Sequence, residues 1–285
     1  MPTINTEVKQ MVLKGTLDSK NPLSTLRGNS FVWQKVFGHL EEWYKTHLEF
    51  KDNAFLKIIP RPMGWTWAFP QPTGVNINMM PIKFHDWTTL PEYCLPYLDM
   101  INCCFMREQH FERDKIVYLT IHESIVQAGK TQRRAGLHLE RPGLSDGKGG
   151  EIAKCNRKSD YSLAWGLGIY MEEYPKDGIY MASNVANSCK VWPVLVDKPE
   201  DVTDRFGGAE HLREYIGEGT CMEANTMYWI TDRTPHEALP VGETVYRQFF
   251  RLVVGEISVW YAKHNTPNPL GVLPKCPISY DDKFE

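Results

Sequence analysis

No apolar run in this 285-residue chain approaches the ~18 residues of a membrane-spanning helix. The start, MPTINTEVKQMVLKG, has no charged opening, apolar core or small-residue cleavage site, so a cytoplasmic location is the expectation. The lack of any Asn-x-Ser/Thr site agrees with that. A basic excess is missing too, because 32 Lys+Arg stand against 35 Asp+Glu for a formal net charge of −3. Phosphate neutralisation needs such an excess, so nucleic acid is not an expected partner, nor is a membrane, and small molecules move up. CxxC spacing is absent. The seven cysteines are odd in number and Cys103 adjoins Cys104, which fits buried reduced thiols and not a disulfide framework. Internal repeats and low-complexity blocks are also lacking, and nothing reports an oligomeric state.

What is present, 42% hydrophobic and 12% aromatic residues, is the composition of a globular protein. One large domain accommodates this length, so a single catalytic domain over 1–285 is expected. Residues 1–114 read as its helical and irregular N-terminal portion. Val32, Val36, Leu40, Trp43, Tyr44 and Leu48 make a helical stripe over Phe31 to Phe50, behind the capping residues Asn29 and Ser30. Five prolines with Trp65 and Trp67 make 60–81 an irregular wrap. Pro91 to Phe111 is helical again, with Pro96 splitting off the first turn.

Residues 115–262 change character. Lys115 to Val126 is rich in β-branched and aromatic residues, and strand-like runs follow at Tyr161 to Glu172, Ile179 to Asn184, Lys190 to Val196, Thr226 to Thr231 and Val245 to Tyr261. Between them Pro199 to Tyr215 reads as a helix. Helices flanking a β-sandwich or barrel are therefore expected, with 263–285 as a C-terminal tail. The glycine-rich Arg141 to Gly150 reads as a mobile loop. It is not a phosphate-binding loop, because Gly143 lies four residues before Gly147 where five are needed, and Gly149 stands in place of Ser/Thr.

In Gly136-Leu137-His138-Leu139-Glu140, residues two apart on an extended segment share a side, so His138 and Glu140 can share one metal. Nine histidines among 35 acidic residues make such a pair common by chance. A second half raises it: a strand at Thr226 to Thr231, then His236, then Tyr246 to Leu252, on which Arg247 and Arg251 share one face with apolar neighbours. Two inward arginines demand anions. His122 and Glu123 are adjacent and so face opposite sides of a strand, Arg133 and Arg134 form a solvated turn or a substrate-anion contact, and Trp229, Trp260 and Tyr261 read as core.

Over roughly 115–262 this pattern resembles the iron(II)- and 2-oxoglutarate-dependent oxygenases. The resemblance implies a double-stranded β-helix, jelly-roll or cupin-like, with the motif lining its open mouth. By it His138, Glu140 and His236 are the catalytic 2-His-1-carboxylate ligands of Fe(II), leaving positions for 2-oxoglutarate and O2. Arg247, eleven residues past His236, would pair with the far carboxylate of 2-oxoglutarate, and Arg251 would hold an acidic group of a small, amino-acid-like substrate. The implied outcome is hydroxylation, with desaturation or cyclisation using the same residues.

The chain departs from the family pattern twice. Glu140 stands where Asp is usual, which keeps a carboxylate and argues against a halogenase. The frequent Arg-x-Ser is Arg247-Gln248-Phe249, which removes a hydroxyl contact to the cosubstrate. Two other readings stand beside this one. A cupin-type metalloenzyme without 2-oxoglutarate gives Arg247 no role, and a non-catalytic β-helix protein would bind a ligand without turning it over.

Overall fold

The structure, a computed structural model, describes residues 46–284 apart from 52–53, 59–67, 107–111, 113, 144–162 and 172–173. The strands run in chain order as β1 Leu48–Phe50, β2 Phe55–Ile58, β3 Asn76–Lys83, β4 Ile116–Val126, β5 Gly168–Met171, β6 Tyr174–Asp177, β7 Ile179–Ser183 and β8 Cys189–Val191. They continue as β9 Val194–Val196, β10 Thr220–Cys221, β11 Met227–Ile230, β12 His236–Ala238, β13 Val245–Val253, β14 Trp260–Tyr261 and β15 Ile278–Ser279. Helix α1 is Leu98–Phe105 and α2 is Pro199–Val202. The protein is mainly β.

Six strands in the order β2-β11-β7-β13-β4-β3 form a large antiparallel sheet, and β10-β8-β12 form a smaller one. Side-chain alternation divides the large sheet cleanly. Val117, Leu119 and Ile121 of β4 with Phe250 and Leu252 of β13 pack against Tyr97, Met100, Ile101 and Phe105 around α1. The opposite face turns Met181, Phe249 and Val253 toward Cys189 and Val191 of the small sheet. Behind the small sheet a third cluster gathers Leu137, Leu139, Trp192, Val194 and Leu212. The six cysteines among the described residues are all free.

Several expectations need correction. The stripe over Phe31 to Phe50 lies outside the described residues up to 45, and its end is strand β1, because Leu48 to Phe50 pair with β9. The wrap to 81 gives way at Asn76 to β3, which tolerates Pro81 as an edge strand. The helix expected over Pro199 to Tyr215 is one turn at α2 and a 3-10 turn at Glu210–Leu212; Gly207, at φ +84°, breaks it.

The run Lys190 to Val196 splits into β8 and β9 around Trp192-Pro193. Val245 to Tyr261 splits at Gly255, where a Cβ would meet Leu167 O at 2.0 Å. Tyr161 to Glu172 contracts to β5, with 161–162 and 172 outside the described residues, as is most of the 141–150 loop. The split at Pro96 holds: Glu92–Tyr97 is a 3-10 segment leading into α1.

Candidate functional site

Residues 137–140 run extended, so Leu137 and Leu139 enter the apolar cluster behind the small sheet while His138 and Glu140 line a cleft in front. Two neighbours hold this segment. On one side His138 N donates to His236 O and His236 N to His138 O, both at 3.0 Å. On the other, Leu139 N donates to Gly207 O at 2.8 Å and Ala209 N to Leu137 O at 2.9 Å. Gly207 permits that approach, because a Cβ there would meet Leu139 O at 2.0 Å. The pairing puts the His138 and His236 rings 4.5 Å apart between centroids, with His236 Nε2 3.7 Å from Glu140 Oε1.

The tautomers follow from elementary chemistry. His138 Nδ1 lies 2.7 Å from Gly136 O and His236 Nδ1 lies 2.9 Å from Thr234 O. A carbonyl only accepts, so each Nδ1 carries a proton, and in a neutral His138 ring the Nε2 keeps its lone pair. Burial, followed by repulsion from His236 and Arg134, holds His138 well below the usual histidine range. Burial opposes charge on Glu140 as well, but Arg251, His236 and Lys283 outweigh it and hold the carboxyl well below its ordinary value.

Arg251 lines the cleft, and its Nη1 donates to Glu140 Oε1 at 2.6 Å, so an acid of the protein already engages it. Arg247 is 0% exposed. Its Nε donates to Ser183 Oγ at 3.1 Å and its Nη2 to Cys189 Sγ at 3.2 Å, while its Nη1 is buried without a partner. Burial raises the Cys189 thiol, so that partner is neutral. Among the described residues no carboxylate lies within ion-pairing distance of Arg247. The cleft is small and open, with a cavity volume of about 50 Å³.

Cross-strand register decides what surrounds these groups. Phe249 of β13 stands opposite His122 of β4 and Ser183 of β7, and Arg251 stands opposite Met181. His122 therefore shares the cleft side and accepts from Arg133 Nη1 at 3.0 Å. Burial, then Arg133, pushes His122 down to about 3, so it stays neutral. Glu123 faces the other way, as alternation requires. Its carboxylate accepts from the backbone N–H groups of Thr73, Gly74 and Val75, from Tyr97 Oη and from Gln248 Nε2. Lys283 sits near Glu140 with its Nζ 4.0 Å from the Trp165 ring centroid, and burial pushes it down to about 7.

The cleft thus gathers His138, Glu140, His236 and Arg251, with Arg247 directly behind Phe249 and Cys189. Trp229, Trp260 and Tyr261 are core. Ser183, Cys189 and Lys283 escaped the sequence reading, since only register and chain closure bring them here. Among the described residues no three His, Cys, Asp or Glu side chains stand as a ready metal cage, and no helix is long and apolar enough to cross a membrane. Comparison of the chain with family models, curated proteins and solved structures returns no match.

Proposed function

We propose that this chain is a non-haem Fe(II)- and 2-oxoglutarate-dependent oxygenase of double-stranded β-helix type, acting on a small substrate. The observation that carries the reading is Arg247, a fully buried guanidinium with an unpartnered Nη1 and no carboxylate in reach, beside two histidines whose Nδ1 atoms are bonded to backbone carbonyls and an ionised glutamate. An uncompensated buried cation calls for an anion from outside the chain. The strand path supports the fold assignment. The chain passes from β4 in the large sheet to 137–140 beside β12, back to β7, across to β8 and β10, back to β11, across to β12 and finally to β13.

The residues fit the metal by their donor chemistry. His138, His236 and Glu140 would hold Fe(II), a set of two neutral imidazoles and one carboxylate, with the Gly136 and Thr234 carbonyls fixing the tautomers. When bound, Fe(II) supplies the oxidative decarboxylation of 2-oxoglutarate to succinate that is coupled to substrate oxidation with O2. Glu140 has two oxygens and about four lone-pair directions, so Arg251 orients the carboxylate while leaving acceptor capacity. Arg247 would take the far carboxylate of 2-oxoglutarate through Nη1. Ser183, the cross-strand partner of Phe249, supplies next to Arg247 the hydroxyl that Arg247-Gln248-Phe249 lacks. Met181 and Phe249 wall the cleft with apolar surface and exclude water.

Hydroxylation is the expected outcome, with desaturation or cyclisation open to the same residues. Succinate release from 2-oxoglutarate with Fe(II), together with anaerobic 2-oxoglutarate titration, tests the reading. Neither binding nor release in wild-type protein overturns it. The Glu140–Arg251 ion pair favours a second reading, a non-catalytic binding module, because it satisfies the carboxylate without a metal. Under that reading Fe(II) does not bind and the His138→Ala and His236→Ala variants keep every binding property.

A further inference from the structure

Arg133 is the one cleft-lining cation that neither an acid nor a carbonyl of the protein engages among the described residues. Arg251 is bonded to Glu140, Arg134 donates to Phe206 O, and Lys190 pairs with Glu218. Arg133 bonds through Nη1 to neutral His122 and packs with its guanidinium carbon 5.3 Å from the Phe249 ring centroid. Nothing among the described residues accepts from its Nε or Nη2, the paired edge that matches two oxygens of one anion. The same Phe249 ring lies 5.4 Å from Arg247. One aromatic side chain is therefore in cation–π contact with two guanidiniums, one fully buried behind it and one lining the cleft.

We infer that Arg133, positioned by His122 and Phe249, is a second anion site that binds a terminal oxyanion, carboxylate or sulfonate, of the substrate. This moves the acidic-group contact from Arg251 to Arg133, and it rests on the oxygenase reading only in naming that anion a substrate group. His122 serves by remaining neutral. A protonated imidazole would repel the guanidinium, whereas the neutral ring accepts its hydrogen bond and turns the open edge into the cleft. Separation of the two sites allows a dianionic cosubstrate and an acidic substrate to be held together without sharing a cation.

Inorganic sulfate is the probe, titrated calorimetrically into metal-free full-length protein at constant ionic strength. Wild-type protein is expected to bind sulfate saturably. Arg133→Gln should weaken it about tenfold or more, and Arg133→Lys, which keeps the charge and loses the fork, should fall between. Saturating 2-oxoglutarate should not displace the sulfate. Absence of saturable binding, equal affinity in folded Arg133→Gln, or displacement by 2-oxoglutarate would each overturn the inference. Sulfate binding needs neither iron nor 2-oxoglutarate, so failure of the oxygenase reading shows separately, as absent 2-oxoglutarate binding with the sulfate site intact.

Discussion

A guanidinium with no exposed surface and only a hydroxyl, a neutral thiol and an aromatic ring as partners sits at a cost of several kcal/mol in the ligand-free protein. Arg247→Gln removes that charge while keeping polar contacts. Two opposite effects are expected: KM for 2-oxoglutarate rises about a hundredfold, and the melting temperature without ligand holds or increases. A falling melting temperature with unchanged KM would make Arg247 a structural residue. At the same scale the sequence revealed that Arg247 and Arg251 share a face, but not which of them already has an acid. That depends on where Glu140 lands, a long-range contact.

Element by element, alternation was the legible feature and close backbone approach was not. His138 and Glu140 share a side because the segment is extended, and the sequence shows as much. Residues 207–209 run beside 137–139 only because Gly207 lacks a Cβ, and their helix-like spacing pointed elsewhere. Gly207→Ala combines a positive φ with a 2.0 Å clash against Leu139 O. It is expected to destabilise by more than about 2 kcal/mol, read by chemical denaturation, and under the proposed function to abolish the Fe(II) binding that a titration would read. Equal stability would mean that 207–209 does not support the His138 segment.

The Glu123 clamp ties the 73–75 backbone, Tyr97 and β13 to β4. Burial raises the carboxyl, but the hydrogen bonds from Tyr97, Val75, Thr73 and Gln248 outweigh it and leave a lowered value. A lowered folded value means that the stabilisation is complete above the ordinary carboxylate range and is lost as pH falls through the folded value. Glu123→Gln should thus cost about 1–3 kcal/mol near pH 7, and the gap to wild type should close as the solution is acidified below the ordinary carboxylate range. A gap independent of pH would count against an ionised clamp.

Over the whole molecule, a site made from both sheets links ligand binding to global stability. If the proposed function holds, Fe(II) with 2-oxoglutarate at about a hundred times its dissociation constant would add roughly 2.7 kcal/mol, or about 5–10 °C in melting temperature for a chain of this size. Anaerobic calorimetry should show that rise in wild type and its loss in His236→Ala. An equal rise in the variant would place the ligand elsewhere. The near-neutral net charge of −3 conceals a local cluster of cations, since Arg133, Arg251 and Lys283 all act on Glu140.

The sequence by itself determined the mainly β character of 115–262, the inward-facing arginines and the shared side of His138 and Glu140, because side-chain period is a local property of an extended chain. Only the tertiary structure decided that His236 lies against His138, that Ser183 and Cys189 contact Arg247, that Glu140 takes Arg251, and that Arg133 is left facing the cleft. Those are outcomes of register and sheet packing between residues up to a hundred or more positions apart, and no local pattern encodes them.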